Sequence, residues 1–376
     1  MEDKEKIVSV FGCLLAGVLL AFLFSTAYSP LYPENYEADP CGFMLAGRAL
    51  LRGLEYYGSH IGRGLSPFVL GQGIGQIAGG SKTGLFILEC LGLFLAVLMI
   101  VLFFGCARIT NGKRRVMSAL TVMALAGLYR GGGRMSDHFI LLILAMVYPA
   151  CRLWAIMRGS AARGGGSERL HPGYVITISD SALILILILN LLTCSLADLI
   201  PGVILICCMA MFRILAERIQ RYEEMERPAD GAEASKKSLL ALIIVTVVLT
   251  GCFVSVFMGV FDRDLAVMTN GRAGEKYDRL KVLCPEETDD IMGMAMTAEF
   301  FIVNDIFPAN RYYEEINEEV IGDISSGKHR YVICSLNVRD EDGRWRKELL
   351  GNYNVVRAGM SFQLLERKPG KEVRAQ

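Results

Sequence analysis

The sequence has no excess of either charge: its 39 lysines and arginines balance 39 aspartates and glutamates. Its basic and aromatic residues are not interleaved, so no nucleic-acid-binding surface is expected and nucleic acid is not a partner. It has no CxxC pair and no His/Cys ligand spacing, which argues against a structural zinc site. It has no repeat of fixed period and no pair of similar halves with broken helices, so a transporter or channel ranks last among the membrane classes. It also lacks a phosphate-cradling glycine loop. "GQGIGQIAGG" (71–80) mimics that pattern loosely, without a preceding strand or a soluble βαβ context.

What the chain has is apolar residues, 53% of 376, concentrated in long blocks. A spanning helix needs roughly 20 such residues. Residues 7–28 qualify and are longer than the apolar core of a cleaved signal peptide, so they read as a retained first span. Further candidates are 84–107, 116–129, 138–156, 174–196, 199–216 and 239–261, with the short, glycine-laden 66–80 either crossing or dipping in and returning. The expected fold is an α-helical polytopic membrane protein of about seven to eight transmembrane helices. Basic residues gather in the connections 108–115, 157–171 and 217–237, which should therefore be cytoplasmic. With the N-terminus also inside, parity requires that 66–80 does not fully cross. The loop 29–65, the segment 131–139 and the chain from 262 then share the outer face. The low-complexity "RGSAARGGGSER" (158–169) and the acidic "EEMERPADGAE" (223–233) read as solvated cytoplasmic connectors.

Two domains are expected: a membrane domain over 1–261, whose outer loop 29–65 carries an interfacial helix, and a small extracytoplasmic α/β domain over 262–376. In the latter, "RLKVLC", "HRYVICSL" and "MSFQLLERK" read as strands and "RYYEEINEEVIGDI" as a helix. Most of the 11 cysteines lie inside apolar blocks, where a thiol acts as a small hydrophobe. Cys41, Cys284 and Cys334 lie outside them and could form a disulfide on an oxidising side.

The stretch "YEADPCGFMLAGRALLRG" (36–53) sets one aspartate before a run of helical apolar spacing: Phe43, Leu45, Ala46, Leu50 and, just beyond, Leu54. Arg48 and Arg52 lie four apart on another side, placed to reach lipid headgroups or a lipid phosphate from a helix on the outer membrane surface. Asp39, just before the helix N-terminus, suits the helix dipole. It is either a capping residue and nothing more, or a functional carboxylate.

Asp39, an aromatic at +4 (Phe43), glycines at +8 and +14 (Gly47, Gly53), then Tyr57 and a proline opening the next apolar segment resemble the first outer loop of the GT-C membrane glycosyltransferases. The nearest likeness is to the family 39-like bacterial proteins related to the polyprenyl- and dolichyl-phosphate-mannose protein mannosyltransferases. "GLFILE" (84–89) is similar to the start of their following span, "GGGRMSDHF" (131–139) to their second outer motif, and "NDIFPANRYY" (304–313) to their terminal outer segment. The resemblance implies an inverting transfer of one hexose from a polyprenyl-phosphate-sugar lipid to a glycan or protein acceptor on the outer face of the plasma membrane. It makes Asp39 the base that takes the acceptor hydroxyl's proton. Arg48, Arg52 or Arg63 would supply positive charge to the departing phosphate.

The chain departs from the family pattern where it has Ser59 after the tyrosine, and Asp137 followed by His138 after the glycines. His60 and His138 could handle protons there. With the small number of spans, these departures support a second reading: a catalytically inactive relative that binds the lipid carrier or assembles with another envelope protein. Glu89, a turn or so inside an apolar block, is either functional or snorkels from the end of its span. No cofactor is named by the sequence. A divalent metal would need Glu37, Asp39 and Asp137 to meet in three dimensions.

Overall fold

The computed structural model describes residues 2–25, 28–36, 38–54, 79–105, 109–131, 147, 196–225, 290–336, 343–359 and 361–369. In chain order its elements are α1 (Glu2–Phe24), α2 (Ala38–Leu51), α3 (Lys82–Gly105), α4 (Asn111–Gly131), α5 (Leu196–Met225), β1 (Ile291–Met294), α6 (Ala298–Val303), α7 (Glu318–Ser326), β2 (Tyr331–Ser335), α8 (Arg344–Asn352), β3 (Tyr353–Ala358) and β4 (Phe362–Arg367). The chain divides into two compact units. One comprises Met1–Ser25 with Leu88–Ala266, and the other Thr26–Ile87 with Val267–Gln376. Apart from Gly79, Gly80, Val147 and Leu196, the expected spans at 138–156, 174–196 and 239–261, the segment 66–80 and the strand "RLKVLC" lie outside the described residues.

The first unit holds α1, most of α3, α4 and α5. Among the described residues, Lys82–Gly105 is the one helix long and apolar enough to cross a membrane, and Ile7–Leu23 is a shorter apolar helix. On α1 the usual order of a helix is inverted. Small residues at four-residue spacing, Cys13, Gly17, Ala21 and then Ser25, are buried, while Ile7, Val8 and Phe11 are 65 to 70% exposed. Gly17 is in such close contact with α3 that an added Cβ would lie 2.5 Å from the Phe94 backbone nitrogen. Small side chains let two helix backbones approach this closely.

Polar groups in this unit gather at one end. Lys113, in the first turn of α4, pairs with Gln220 and Glu223 near the end of α5. Arg213, almost fully buried, bonds Glu217 at 3.2 Å and donates at 2.8 Å to the carbonyl of Phe103, near the end of α3. A guanidinium there satisfies a helix C-terminal carbonyl and meets the negative end of the dipole.

The second unit is built on a four-stranded sheet in the order β1-β2-β4-β3. β1 runs parallel to β2, with Ile291 opposite Tyr331. β4 is antiparallel to both β2 and β3, with a bulge between Val355 and Arg357. "HRYVICSL" contains β2 and "MSFQLLERK" contains β4. The stretch "RYYEEINEEVIGDI" is helical only from Glu318, because Asn317 caps there by accepting from the Val320 N–H at 3.0 Å. α7 ends at Gly327, whose φ of +62° suits a left-handed C-cap.

One sheet face packs on α7 and α8 through Met292, Met294, Val320, Ile324, Trp345 and Leu365. The other meets an aromatic group. Phe300 lies 5.2 Å from Phe362, and Phe301 lies 5.0 Å from Tyr313, both edge-to-face. The outer edge of β1 is closed by the segment after α6. Asn310 accepts from the Gly293 N–H and donates to the Gly293 carbonyl, both at 2.8 Å, so one side-chain amide takes the place of a neighbouring strand. The Ala309 N–H donates to Ile291 and the Met296 N–H to Tyr313, continuing that closure.

Candidate functional site

α2 belongs to the same compact unit as the C-terminal sheet and packs on α6. Residues 40–47 are buried on every side of the helix, and exposure begins only with its last turn. Asp39 lies in the first turn of α2, which begins at Ala38, two residues earlier than the sequence reading has it; the Asp39 side chain lies outside the described residues. The helix ends on Gly53, whose φ is +70°, with Leu54 N–H donating back to Ala49.

Arg48 and Arg52 both turn towards the segment following α6. Arg48 Nη1 donates to Asp305 Oδ1 at 2.8 Å, and its Nε donates to the carbonyl of Gly80 at 3.1 Å. Arg52 places its guanidinium 4.4 Å over the ring of Phe307. Gly80 has a φ of +61°, and a Cβ there would run into Arg48 Cγ and into the Met44 carbonyl at 3.0 Å. Only glycine lets the chain pass α2 this closely.

Two residues later Lys82 begins α3 and fixes the approach to α2. Its ammonium donates to the carbonyls of Tyr32, Pro33 and Asn35 at 2.7, 3.2 and 2.8 Å, and sits 4.8 Å from the centre of the Tyr36 ring. A lysine has three donors, and these three carbonyls take all of them.

The other expected site residues do not join this cluster. Arg63, His60, Asp137 and His138 lie outside the described residues, as does Glu37. Glu89 is half-buried in α3 and falls in the other compact unit. Among the described residues no three acidic, histidine or cysteine side chains gather in a way that could hold a metal ion. Cys334 is a buried free thiol, Cys41 is buried, and Cys284 lies outside the described residues.

Sequence reasoning missed Asp305, Gly80 and Lys82. Asp305 lies inside the quoted "NDIFPANRYY" but 257 residues from its partner Arg48, a separation at which no spacing rule operates.

A second polar cluster lies at the far end of the crossover between β1 and β2. Buried His329 meets Asp290 through Nδ1 at 2.7 Å and Asp323 through Nε2 at 3.5 Å, and Asp290 also accepts from the Arg330 N–H. Tyr353 Oη donates to the His329 carbonyl at 3.0 Å, and burial pushes its hydroxyl up to about 12. Burial likewise raises the Cys334 thiol to about 11. The bonds of Asp290, His329 and Tyr353 tie strand ends together. Comparison with protein-family models, with characterised proteins and with solved structures returned no match.

Proposed function

We propose that this chain is a polytopic membrane protein of the GT-C glycosyltransferase type that moves a sugar from a polyprenyl-phosphate-sugar donor to an extracytoplasmic glycan or protein acceptor. In the proposed reaction the acceptor hydroxyl oxygen attacks the anomeric carbon while the bond from that carbon to the phosphate oxygen breaks. Asp39 takes the hydroxyl proton, and arginines of the outer loop, Arg48 and Arg52 with Arg63, balance the charge left on the lipid phosphate.

The observation that carries this reading is the meeting of two motifs from opposite ends of the chain. The stretch 36–53 and the stretch 304–313 each resemble the family for independent reasons, and they share one compact unit through α2 and α6, Arg48 and Asp305, and Arg52 and Phe307.

The membrane setting is supported by the packing of α1 and α3. On α1 small residues face inward and large apolar ones outward, and on α3 Ile87, Leu91 and Leu102 stay 50 to 60% exposed, as expected where the surrounding solvent is lipid. The outer-face assignment is supported by contact. Arg48 touches both Gly80 and Asp305, which suits a topology with α2, the start of α3 and the C-terminal sheet on one side of the membrane. The pairing of Lys113 with Glu223 fits the cytoplasmic assignment of both connections.

The test is sugar transfer by the purified full chain in lipid. Asp39→Asn is expected to lower the rate by about 100-fold or more, and an unchanged rate would remove Asp39 as the base. One observation favours the non-catalytic reading: Arg48 is already engaged by a carboxylate. Under that reading wild-type protein binds the lipid carrier and transfers nothing.

A further inference from the structure

The contact between Arg48 and Asp305 is close in geometry and weak in energy. Arg48 is held from two sides by Asp305 Oδ1 and the Gly80 carbonyl, which fixes its guanidinium plane. The Asp305 side chain nevertheless remains 86% exposed. An ion pair with so exposed a member shifts an equilibrium by a factor of about five at most.

Asp305 has a φ of +53°, in the left-handed region where glycine is the usual choice and asparagine and aspartate are the commonest alternatives. It follows the last turn of α6, where the outgoing backbone carbonyls repel a carboxylate. What it gains there is Arg48. Arg52 lies one turn further along α2, with its guanidinium over Phe307, two residues beyond Asp305 in the same segment.

We infer that Arg48 is a seat for the phosphate of a phosphate ester, and that Asp305 is its built-in occupant, an autoinhibitory carboxylate that leaves when the phosphate arrives. A phosphate monoester, such as the polyprenyl phosphate left after sugar transfer, carries more charge than a carboxylate and offers the arginine fork more acceptor oxygens. It can therefore displace a partner held this weakly. The choice of a lipid phosphate as ligand rests on the glycosyl-transfer reading. The displacement itself rests on the geometry of Arg48, Gly80 and Asp305.

The experiment measures binding of radiolabelled polyprenyl phosphate, presented in phosphatidylcholine vesicles, to the full chain. Asp305→Asn is expected to tighten binding by about two- to fivefold. Asp305→Gly, which relieves the backbone as it removes the charge, should do the same, so the result does not depend on one variant folding well. Asp305→Glu keeps the charge and should not tighten binding. Arg48→Gln is expected to weaken binding by about tenfold or more.

If Arg48→Gln binds as the wild type does, the phosphate assignment fails and the inference fails with it. If Arg48→Gln weakens binding but neither Asp305→Asn nor Asp305→Gly tightens it, the autoinhibitory role of Asp305 alone is overturned. Inorganic phosphate added as competitor separates the sources of the anion. Displacement of the lipid makes free phosphate a ligand of the same arginine, and lack of displacement assigns the seat to the lipid headgroup; either result agrees with the inference.

Discussion

Replacing Asn310 by alanine tests how the C-terminal sheet is closed. Asn310 is buried and bonds both the N–H and the carbonyl of Gly293 at 2.8 Å. Alanine would leave a donor and an acceptor of β1 without those partners. An unsatisfied buried polar group costs about 1–3 kcal/mol, and some relaxation is to be expected, so the substitution should cost about 2–4 kcal/mol. Asparagine is also the only common side chain of this length that offers an acceptor and a donor in one plane. An aspartate in its place would keep the bond from the Gly293 N–H but set a second oxygen against the Gly293 carbonyl, so Asn310→Asp should fare no better than Asn310→Ala.

The assay is amide hydrogen exchange of peptides covering 290–296 in the full chain. The expected acceleration is about 30- to 1000-fold, the factor to which that energy converts. Exchange within threefold of wild type in both variants would refute the claim that one side chain substitutes for a neighbouring strand.

Two further outcomes follow from the packing. Gly17→Ala and Gly12→Ala both exchange glycine for the better helix former, a gain of about 1 kcal/mol. Gly12 has open space, whereas a Cβ at Gly17 meets the Phe94 backbone at 2.5 Å, which cannot rotate away. Thermal unfolding of the full chain in detergent should therefore rise for Gly12→Ala and fall for Gly17→Ala; a rise in both would show that α1 and α3 do not pack as described. For Tyr353, the hydroxyl is raised from 10.0 to about 12 in the folded protein, so its neutral form is favoured by folding. The associated stability is whole below pH 10 and lost as the pH rises towards 12. Tyr353→Phe should flatten the alkaline limb of the melting curve, and an unaltered limb would remove Tyr353 as its source.

Long apolar periodicity was legible in the chain. α3 covers 82–105 where the pattern marks 84–107, and α1 lies five residues earlier than its apolar block at the N-terminal end. "HRYVICSL" showed its strand through a run of buried apolar residues. β1 did not, because "IMGM" offers one β-branched residue and a glycine, a weak strand signal rescued by neighbours on both faces. α6 was hidden by its length of six residues. α2 was legible as a helix. Its apolar stripe suggested a surface-lying element, whereas residues 40–47 are buried all round. Glycines 42 and 47 and Ala46 leave its faces small enough to be covered, a distinction that periodicity does not make. At the candidate site, Arg48 and Arg52 were visible as a pair four apart, but what they touch was not. Their partners come from turns set by Gly80 and by the positive φ of Asp305, and those conformations have no periodic signature.

Lys82 has a mechanical consequence. Its ammonium is threaded through three backbone oxygens of residues 32–35, and it is also the first residue of a 24-residue helix. That helix cannot slide along its own axis without either breaking this grip or hauling residues 32–36, and the start of α2 behind them, along with it. Short of breaking that grip, a shift of the helix's first turn carries residues 32–35 with it.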